Sequence, residues 1–326
     1  MNLSPIRAAT LNIPWFWLGT WSLAGHGFGA HNLDESKSTL GAAIDLGVQF
    51  FDTAGFYAKG GAEVLLGEAL STKRQDFFIS TKGGLEWVGN QVLHNARPEA
   101  LEKACFESLA RLQTDYIDLY QLHWPDPQVP ISESIASLKD LKSRGLIRYW
   151  GVGNLTEDEI TASLDPGGEI PHQVHFNPIH ANLGPLMAGE AEKRCLNAIY
   201  SPLEQGLLSG SGLGAYNGLG KKDVRNRNPY FNSADILPFL KDIDAFSADL
   251  PFSLPTFVLL WILSFPQVSY VISGARTPRQ LQASLAHARW ISEGSLPKYQ
   301  KRARLLLEEW VGKEVLDKMD SRLGQF

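Results

Sequence analysis

The chain has 326 residues, of which 44% are hydrophobic and 20% charged, a balance typical of one large globular domain or two ordinary ones. Its formal net charge is −5 without any dense lysine/arginine block, which argues against nucleic acid or an acidic membrane as a partner. Both cysteines, Cys105 and Cys195, lie in apolar stretches and are expected to be reduced core thiols. We expect a soluble cytoplasmic protein, because no signal pattern or apolar run of ~18 residues occurs.

Short apolar segments with β-branched or aromatic residues alternate with helical periodicity along most of the chain. The eight predicted strands are residues 15–19, 48–52, 77–82, 116–123, 147–153, 172–176, 196–201 and 268–273. The predicted helices are residues 34–46, 61–70, 98–112, 132–144, 156–164, 184–194 and 254–265. Repeated strand, helix, strand order predicts parallel strands joined by helical crossovers.

Such a sheet closes in one of two ways, as a doubly wound sheet or as an eight-stranded barrel. Eight units over about 275 residues fit the usual size of the barrel. Polar residues lie at or just beyond the C-terminal ends of separate predicted strands: Asp52, Lys82, His123, Asn154, Asn177 and Ser201. These ends surround one mouth in a barrel but spread along an edge in an open sheet. The sequence therefore predicts an α/β protein with an eight-stranded parallel (β/α)8, or TIM, barrel.

One connection is much longer than the others. After the seventh strand, residues 211–253 form a long loop with a polar, glycine-rich part and a predicted extra helix at 235–248. A long insertion on the catalytic face of a barrel is most often a lid or a substrate loop. The tail from 283 to 326 indicates two further C-terminal helices packed outside. No linker is evident, so we expect residues 1–326 to form a single barrel domain.

The segment FFDTAGFYAKGGAEVLLGEAL places Asp52 and Tyr57 five residues apart where the chain leaves a strand. Either the aspartate caps a turn and the tyrosine covers an apolar edge, or the two are catalytic. Lys82 favours catalysis, because it ends a buried-looking strand and needs a partner there, which Asp52 can supply. Lys82 would also lower the pKa of Tyr57 from ~10, and His123 adds a hydrogen-bonding group at the same rim. Such a set suits protonation of a carbonyl oxygen while an external donor supplies a hydride.

Six segments resemble, in order, the signature segments of the aldo-keto reductase family. They are FDTAGFYAKGGAEVLLGEAL, STKGG, DYIDLYQLHWPD, GVGN, YSPLEQGLLSG and ISGARTPRQL, and they cover roughly residues 15–290. The resemblance implies an eight-stranded α/β barrel that uses NADPH or NADH. It also implies that Asp52, Tyr57, Lys82 and His123 form the catalytic tetrad, without a metal ion.

The resemblance further implies where the cofactor binds. Asn154 and Gln173 correspond to the contacts of the nicotinamide carboxamide, and Tyr200 to the ring that stacks on the nicotinamide. The full set of implied cofactor residues is Gly19, Thr20, Trp21, Asn154, Gln173, Tyr200, Ser201, Pro202, Leu203, Gln205, Gly206, Leu208, Ser273, Gly274, Ala275, Arg276 and Gln280.

The chain departs from the family pattern at two places in this site. The family commonly has Ser-Asn where this chain has Gly153-Asn154, and it often has Glu and Asn where this chain has Ala283 and Ser284. Arg276 and Arg279 can nevertheless meet a 2′-phosphate. NADPH/NADP+ is therefore the expected cofactor, with NADH as the alternative.

Two motifs imitate other sites. The segment GSGLGA at 210–215 resembles a dinucleotide fingerprint, but it follows no strand directly and opens no helix, so we interpret it as a loop. The segment HQVHFNPIH carries His172, His175 and His180. The first two are three residues apart on a strand and point to opposite faces, so no shared metal ion is expected.

Several of the nine tryptophans lie near strand ends. Trp21 and Trp124 are predicted to wall a pocket, because they flank the mouth, whereas Trp15, Trp17 and Trp261 are predicted to be core residues. The substrate would depend on Trp21, Trp87, Trp124 and the 211–253 loop.

The sequence thus predicts an NAD(P)(H)-dependent oxidoreductase that reduces an aldehyde or ketone, or oxidises a sugar or alcohol in the reverse direction. Its expected partner is that small molecule, not nucleic acid or a membrane, and the sequence does not define an oligomeric state. The rival hypothesis is a cofactor-binding regulatory subunit with little turnover, similar to potassium-channel β-subunits.

Overall fold

The computed structural model describes residues 16–25, 27–29, 32–89, 91–163, 170–181, 195–210, 219–221, 223–248 and 253–285, with single positions at 214, 216, 305, 308 and 313. Its strands are β1 (Phe16–Gly19), β2 (Phe50–Asp52), β3 (Phe78–Gly83), β4 (Leu85–Val88), β5 (Gln91–His94), β6 (Ile117–Leu122), β7 (Ile147–Gly153), β8 (Ile170–His175), β9 (Cys195–Tyr200) and β10 (Val268–Gly274).

Eight of these strands form a closed barrel in the order β1-β10-β9-β8-β7-β6-β3-β2. Every neighbouring pair is parallel. The barrel and all eight predicted strands are therefore confirmed, with boundaries that move by one or two residues. The antiparallel hairpin β4–β5 was not predicted, because two segments of four residues each carry too short an alternation to stand out.

The helices also follow the sequence prediction closely. They are α1 (Leu33–Asp45), α2 (Gly61–Leu70), α3 (Pro98–Leu112), α4 (Ile131–Ser143), α5 (Glu157–Ser163), α6 (Ile236–Ala248), α7 (Leu254–Leu263) and α8 (Pro278–Leu285). The helix predicted at 184–194 and most of the predicted C-terminal helices lie outside the described residues. Within the described part of the chain, no helix combines the length and apolarity that crossing a bilayer requires.

Two apolar layers explain why the functional face lies at one end of the barrel. The larger cluster fills the space between the strands and the helices. The smaller one plugs the barrel interior and consists of Trp17, Phe50, Phe78, Leu119, Leu196, Ala198, Tyr270 and Ile272. Because side chains alternate along a strand, the inward positions above this plug on β2 and β3 are Asp52 and Lys82. The chain thus closes the bottom of the barrel with aromatic rings and leaves polar groups at the C-terminal mouth.

Candidate active site

The ends of the strands bring the predicted polar residues together at the barrel mouth. Asp52 is the last residue of β2, Lys82 the next to last of β3, and His123 and Asn154 directly follow β6 and β7. Strand pairing sets Asp52 beside Ser80. The parallel barrel thus converts positions far apart in sequence into neighbours.

A buried ion pair lies at the centre of this mouth. Lys82 Nζ lies 2.6 Å from Asp52 Oδ1 and donates to the carbonyl oxygen of Thr53 at 2.8 Å. The other oxygen, Asp52 Oδ2, accepts hydrogen bonds from Ser80 Oγ at 3.0 Å and Gln173 Nε2 at 2.6 Å. Asp52 and Lys82 are only 2% and 4% exposed. Because both charges are desolvated and each makes more than one hydrogen bond, the pair is held in a single geometry.

Tyr57 lies directly above this pair. Its ring centroid is 5.3 Å from Lys82 Nζ, 5.8 Å from the His123 ring, to which it is nearly perpendicular, and 5.8 Å from the Trp21 ring. The short helical turn Tyr57–Gly60 contains Ala58 and Lys59 at positive φ, 50° and 54°. Such left-handed backbone is uncommon for residues other than glycine, so the surrounding structure fixes the turn that carries the phenol.

The pKa of Tyr57 is raised, which corrects the expectation that Lys82 would lower it. Burial raises the pKa of the phenol well above its usual value, and the negative charge of Asp52 and the nearby Tyr200 add to this effect. The main physical reason is burial, which the ammonium of Lys82, paired with Asp52 at 2.6 Å, does not offset. Tyr57 therefore stays protonated around neutral pH.

His123 is a neutral imidazole at the same mouth. Burial, followed by the positive charge of Lys82 and by His94, lowers its pKa well below the usual value. Its backbone is fixed by Gly83, whose carbonyl oxygen accepts from the His123 N–H at 2.8 Å, and by Asn154 Nδ2, which donates to the His123 carbonyl oxygen at 2.9 Å. The buried Nδ1 has no hydrogen-bond partner among the residues described. A neutral ring in this place can donate one N–H to a ligand oxygen.

A cavity of about 420 Å³ opens beside Asp52 and Tyr57. This volume falls within the range of small-molecule and cofactor sites. Of the residues predicted to bind the cofactor, those that line it are Gly19, Trp21, Tyr200, Ser201, Pro202, Leu203, Gln205, Gly206, Ser273, Gly274, Arg276 and Gln280. The predicted cofactor residues from two distant segments, 200–206 and 273–280, thus line the same cavity.

Five predicted cofactor residues do not line the cavity: Thr20, Asn154, Gln173, Leu208 and Ala275. Leu208 and Ala275 are buried core residues, and Thr20 Oγ1 donates to the carbonyl oxygen of Asp52 at 3.1 Å. Gln173 donates to Asp52, while Asn154 Oδ1 accepts from the Tyr200 hydroxyl at 2.6 Å. These side chains contact the residues that form the mouth and the cavity wall.

The cavity also has lining residues that sequence reasoning missed: Ser22, Phe28, Ser209, Arg225, Pro255 and Ile272. Arg225 is the charged member of this set, and its guanidinium donates to both carboxylate oxygens of Asp223, at 2.9 and 2.8 Å. The segment KKDVRNR offers several cations, so composition alone does not single out Arg225. By contrast, Arg279, which was predicted with Arg276 to meet a phosphate, is exposed and does not line the cavity.

Three polar atoms in the wall of the cavity have no hydrogen-bond partner in the part of the chain that the structure describes. Ser22 Oγ, Gln205 Oε1 and Ser273 Oγ are buried and make no hydrogen bond with the described residues. Buried polar groups are normally paired, so a polar ligand in the cavity is the natural partner. A phosphate- and amide-bearing dinucleotide fits this mixed lining of hydroxyls, an amide and arginines.

The three histidines of HQVHFNPIH occupy two environments, one for His172 and one shared by His175 and His180. His172 is buried in the core, with Nδ1 3.2 Å from Asn197 Oδ1. His175 and His180 stack at 4.1 Å, and His175 Nε2 lies 2.8 Å from Glu204 Oε2. No cluster of metal-ligating side chains occurs within the described ranges.

A His172→Gln variant should lose less stability in acid than the wild type. Burial lowers the pKa of His172 to about 4. As the pH falls from ~6.5 towards about 4, the imidazole of residue 172 is protonated in the unfolded chain but stays neutral in the native protein. This difference lowers the free energy of unfolding by about 3 kcal/mol. Glutamine keeps a donor for Asn197 but cannot titrate. Urea unfolding at pH 7 and pH 4.5 measures the difference, with His94→Gln, an exposed histidine, as control. If the wild type and His172→Gln lose equal stability in acid, His172 is not a buried imidazole that stays neutral in the native protein.

The structure confirms the predicted positions of Trp21, Trp17 and Trp261 but not that of Trp124, and Trp15 lies outside the described residues. Trp21 lines the cavity, and Trp17 and Trp261 are core residues, 1% and 0% exposed. Trp87 stacks on Phe56 at 5.0 Å and donates its Nε1 hydrogen to the Phe56 carbonyl oxygen at 3.0 Å. Trp124, predicted to wall the pocket, is 38% exposed on the rim and does not line the cavity.

A parallel eight-stranded barrel with its polar residues at the C-terminal mouth defines the class of (β/α)8-barrel enzymes. Residues 16–292 match the model of the aldo/keto reductase family, and the chain belongs to that family of oxidoreductases.

Individual relatives cover most of the chain. Aldo-keto reductase YhdN of Bacillus subtilis is 33% identical over 82% of this chain and 82% of its own length. The NADH-specific methylglyoxal reductase of Escherichia coli is 30% identical over 88% of this chain and 93% of its own. The solved structure of a glycerol dehydrogenase from Gluconobacter oxydans superposes with a TM-score of 0.73, at 29% identity, over 91% of this chain and 92% of that one.

Proposed function

We propose that this protein is a nicotinamide-dependent carbonyl reductase that converts an aldehyde or ketone to an alcohol and catalyses the reverse oxidation at alkaline pH. The observation that carries the proposal is the placement of Tyr57 above the buried Asp52–Lys82 pair, beside His123 and a cavity of about 420 Å³. Relatives named as a methylglyoxal reductase and a glycerol dehydrogenase support small carbonyls and polyols as the substrate class.

Each residue at the mouth has a distinct role in this proposal. Tyr57 donates its phenolic proton to the carbonyl oxygen as the carbon is reduced. His123, kept neutral by burial, donates an N–H to the same oxygen and orients it. Lys82 and Asp52 form the buried ion pair below the phenol and control its pKa electrostatically. The bound reduced nicotinamide supplies the hydride, which no side chain here provides.

The protonation state of Tyr57 supports reduction as the favoured direction near neutral pH. A phenol with a raised pKa is present almost entirely as the proton donor that reduction needs. Oxidation needs the phenolate as base, which forms only at higher pH. The residues that would hold the cofactor are Tyr200 and the 201–206 loop at one side and Ser273, Arg276 and Gln280 at the other.

NADPH is the cofactor that we propose, because Arg276 lies in the cavity wall where it can meet a 2′-phosphate. The E. coli relative, which is 30% identical to this chain, is named as NADH-specific. The affinities of this protein for NADPH and NADH are therefore to be compared directly.

An Arg276→Ala variant should bind NADPH about tenfold more weakly or worse, while its affinity for NADH changes little. A charge-assisted hydrogen bond contributes ~1.5–3 kcal/mol, and ~1.4 kcal/mol is tenfold in affinity. Quenching of tryptophan fluorescence by each cofactor gives the two dissociation constants. Arg279→Ala, on the exposed neighbour, is the matched control. Equal loss for both cofactors, or a wild type that prefers NADH, would reject a role for Arg276 at the 2′-phosphate.

The decisive experiment is a substrate screen that follows nicotinamide absorbance with NADPH and NADH. The panel should contain methylglyoxal, glyceraldehyde, aromatic aldehydes and simple ketones for reduction, and glycerol and sugars for oxidation. Turnover of at least one carbonyl supports the proposal. Tight cofactor binding without turnover across the panel would instead favour the regulatory-subunit hypothesis.

A further inference from the structure

Glu204 is a buried carboxylate that the proposed chemistry does not use. It is fully buried, and it accepts hydrogen bonds from Asn177 Nδ2 at 2.6 Å and Asn228 Nδ2 at 2.6 Å, with His175 Nε2 at 2.8 Å. Burial alone would raise the pKa of this carboxyl, but these hydrogen bonds outweigh burial and hold the pKa below its usual value. Glu204 is therefore an ionised carboxylate that joins three separate segments of the chain.

The first of these segments is the strap, which we define as residues 223–231. It consists of two short helical turns, Val224–Arg227 and Pro229–Phe231. One part of the strap is fixed near β1, because the Val224 N–H donates to the Gly27 carbonyl oxygen at 2.6 Å. Another part is fixed near β9 by the bond from Asn228 to Glu204. Between these two attachments, Arg225 lines the cavity.

The second connection runs from Glu204 to Tyr200 through stacked rings. His175, whose Nε2 contacts Glu204, stacks on Tyr200 at 5.2 Å with an interplanar angle of 17°. His175 also stacks on His180, and His180 Nδ1 lies 3.1 Å from the hydroxyl of Tyr230 in the strap. The strap and Tyr200, which both border the cavity, are thus connected through His175 and Glu204.

The loop that carries Glu204 has a backbone that needs such support. Ser201, Glu204 and Gln205 have φ values of 50°, 42° and 52°, in the left-handed region that favours glycine. Ser201, Leu203 and Gln205 from this loop line the cavity. Loss of the Glu204 hydrogen bonds would therefore remove one attachment of the strap and loosen the loop.

We propose that Glu204 and His175 are positioning residues that hold the strap and Tyr200 against the cavity and thereby set how long the cofactor stays bound. That the ligand is a nicotinamide cofactor depends on the proposed function. That Glu204 fixes the strap depends only on the observed hydrogen bonds. A purely structural buried carboxylate would affect unfolding but not the rate of cofactor release.

The geometry allows a donor–acceptor exchange between residues 204 and 228. In Glu204→Gln, the amide oxygen can take the place of Oε2 and accept from His175 and Asn177, but the amide nitrogen then faces the donor of Asn228. In Asn228→Asp, two carboxylates face each other. In the double variant, the amide of residue 204 donates to the carboxylate of residue 228, which restores one hydrogen bond and keeps one negative charge in the pair, now on the half-buried residue 228.

The test measures NADPH and NADH dissociation by stopped-flow tryptophan fluorescence in the wild type, both single variants and the double variant. Each single variant should release cofactor about tenfold faster or more, the factor expected for one lost charge-assisted hydrogen bond. The double variant should return towards the wild-type rate. Asp118→Asn is the control, because this buried carboxylate pairs with Arg74 and Arg148 near the opposite end of β6. It should lower stability without changing the release rate.

Hydrogen exchange of the cofactor-free proteins gives an independent readout. Amides of residues 223–231 should exchange faster in both single variants than in the wild type, and the double variant should recover. Unchanged release and exchange in Glu204→Gln, or a double variant no better than the singles, would overturn the inference. A wild type that binds neither cofactor would overturn the proposed function, and the exchange measurement would then still decide whether Glu204 holds the strap.

Discussion

Tyr57→Phe should lower kcat for carbonyl reduction by about 10²- to 10⁴-fold, the usual contribution of a general acid, while cofactor affinity stays near the wild-type value. Phenylalanine retains the ring that contacts Trp21 and His123 and lies over Lys82, so the mouth keeps its packing. Only the proton donor is removed. Steady-state kinetics at saturating cofactor, with dissociation constants from fluorescence quenching, separate the chemical step from binding.

A second tyrosine provides the matched control. Tyr270 is buried in the barrel plug, where it stacks on Trp17 at 4.3 Å, below the mouth. Tyr270→Phe removes the same hydroxyl from the same kind of aromatic environment, and we expect its kcat to stay close to that of the wild type. If Tyr57→Phe retains more than half of the wild-type activity, Tyr57 is not the acid and the packing interpretation of this residue prevails.

The fold could be predicted from the sequence because each strand and helix is marked by a local pattern of residues. Strands of the barrel are short apolar runs, and their ends are marked by a change to polar residues such as Asp52 and His123. Parallel topology then forces these ends to one mouth, whatever their distance along the chain. The grouping of the four proposed catalytic residues could therefore be predicted without knowing any side-chain contact.

Other features depend on three-dimensional burial and could not be predicted. The pKa of Tyr57 is set by desolvation and by how the charge of Lys82 is already paired, and neither is visible in a motif. Glu204 appears in the sequence as one more loop carboxylate, although it is fully buried and hydrogen-bonded to two other segments of the chain. Arg225 stands among other cations, and only the folded strap places it at the cavity.

Limited space explains why this chain has glycine at position 153, where the family commonly has serine. A Cβ on Gly153 would lie 3.1 Å from the His123 carbonyl oxygen, the same oxygen that accepts from Asn154 Nδ2. The close approach of β7 to the residue after β6 thus favours glycine here. Asn154, which follows, has a φ of 60°, a conformation that asparagine tolerates better than most residues.

Substitution of the two members of the ion pair should move the pH dependence of alcohol oxidation in opposite directions. Oxidation requires the phenolate of Tyr57, so the acid limb of its profile reports the pKa of that phenol. Lys82→Met leaves the negative charge of Asp52 unbalanced near Tyr57, which raises this pKa and shifts the limb to higher pH. Asp52→Asn removes a charge that raises the pKa of Tyr57, so the limb shifts to lower pH. Each unit of movement corresponds to ~1.4 kcal/mol.

Both variants should also lose stability, and this must be measured separately. Asp52→Asn deprives the 4% exposed Lys82 of its partner, and breaking a buried ion pair costs about 3–5 kcal/mol. Urea unfolding at constant pH gives the loss, and oxidation profiles extended above pH ~10, the usual pKa of a phenol, give the limbs with the best alcohol from the screen. Asp118→Asn, which breaks buried ion pairs far from the mouth, should lose stability while its limb stays in place. The acid limbs of Lys82→Met and Asp52→Asn could instead lie at the same pH as the limb of the wild type, or both move in the same direction. Either result would mean that the pair does not control the pKa of Tyr57 electrostatically and serves only to hold the barrel together.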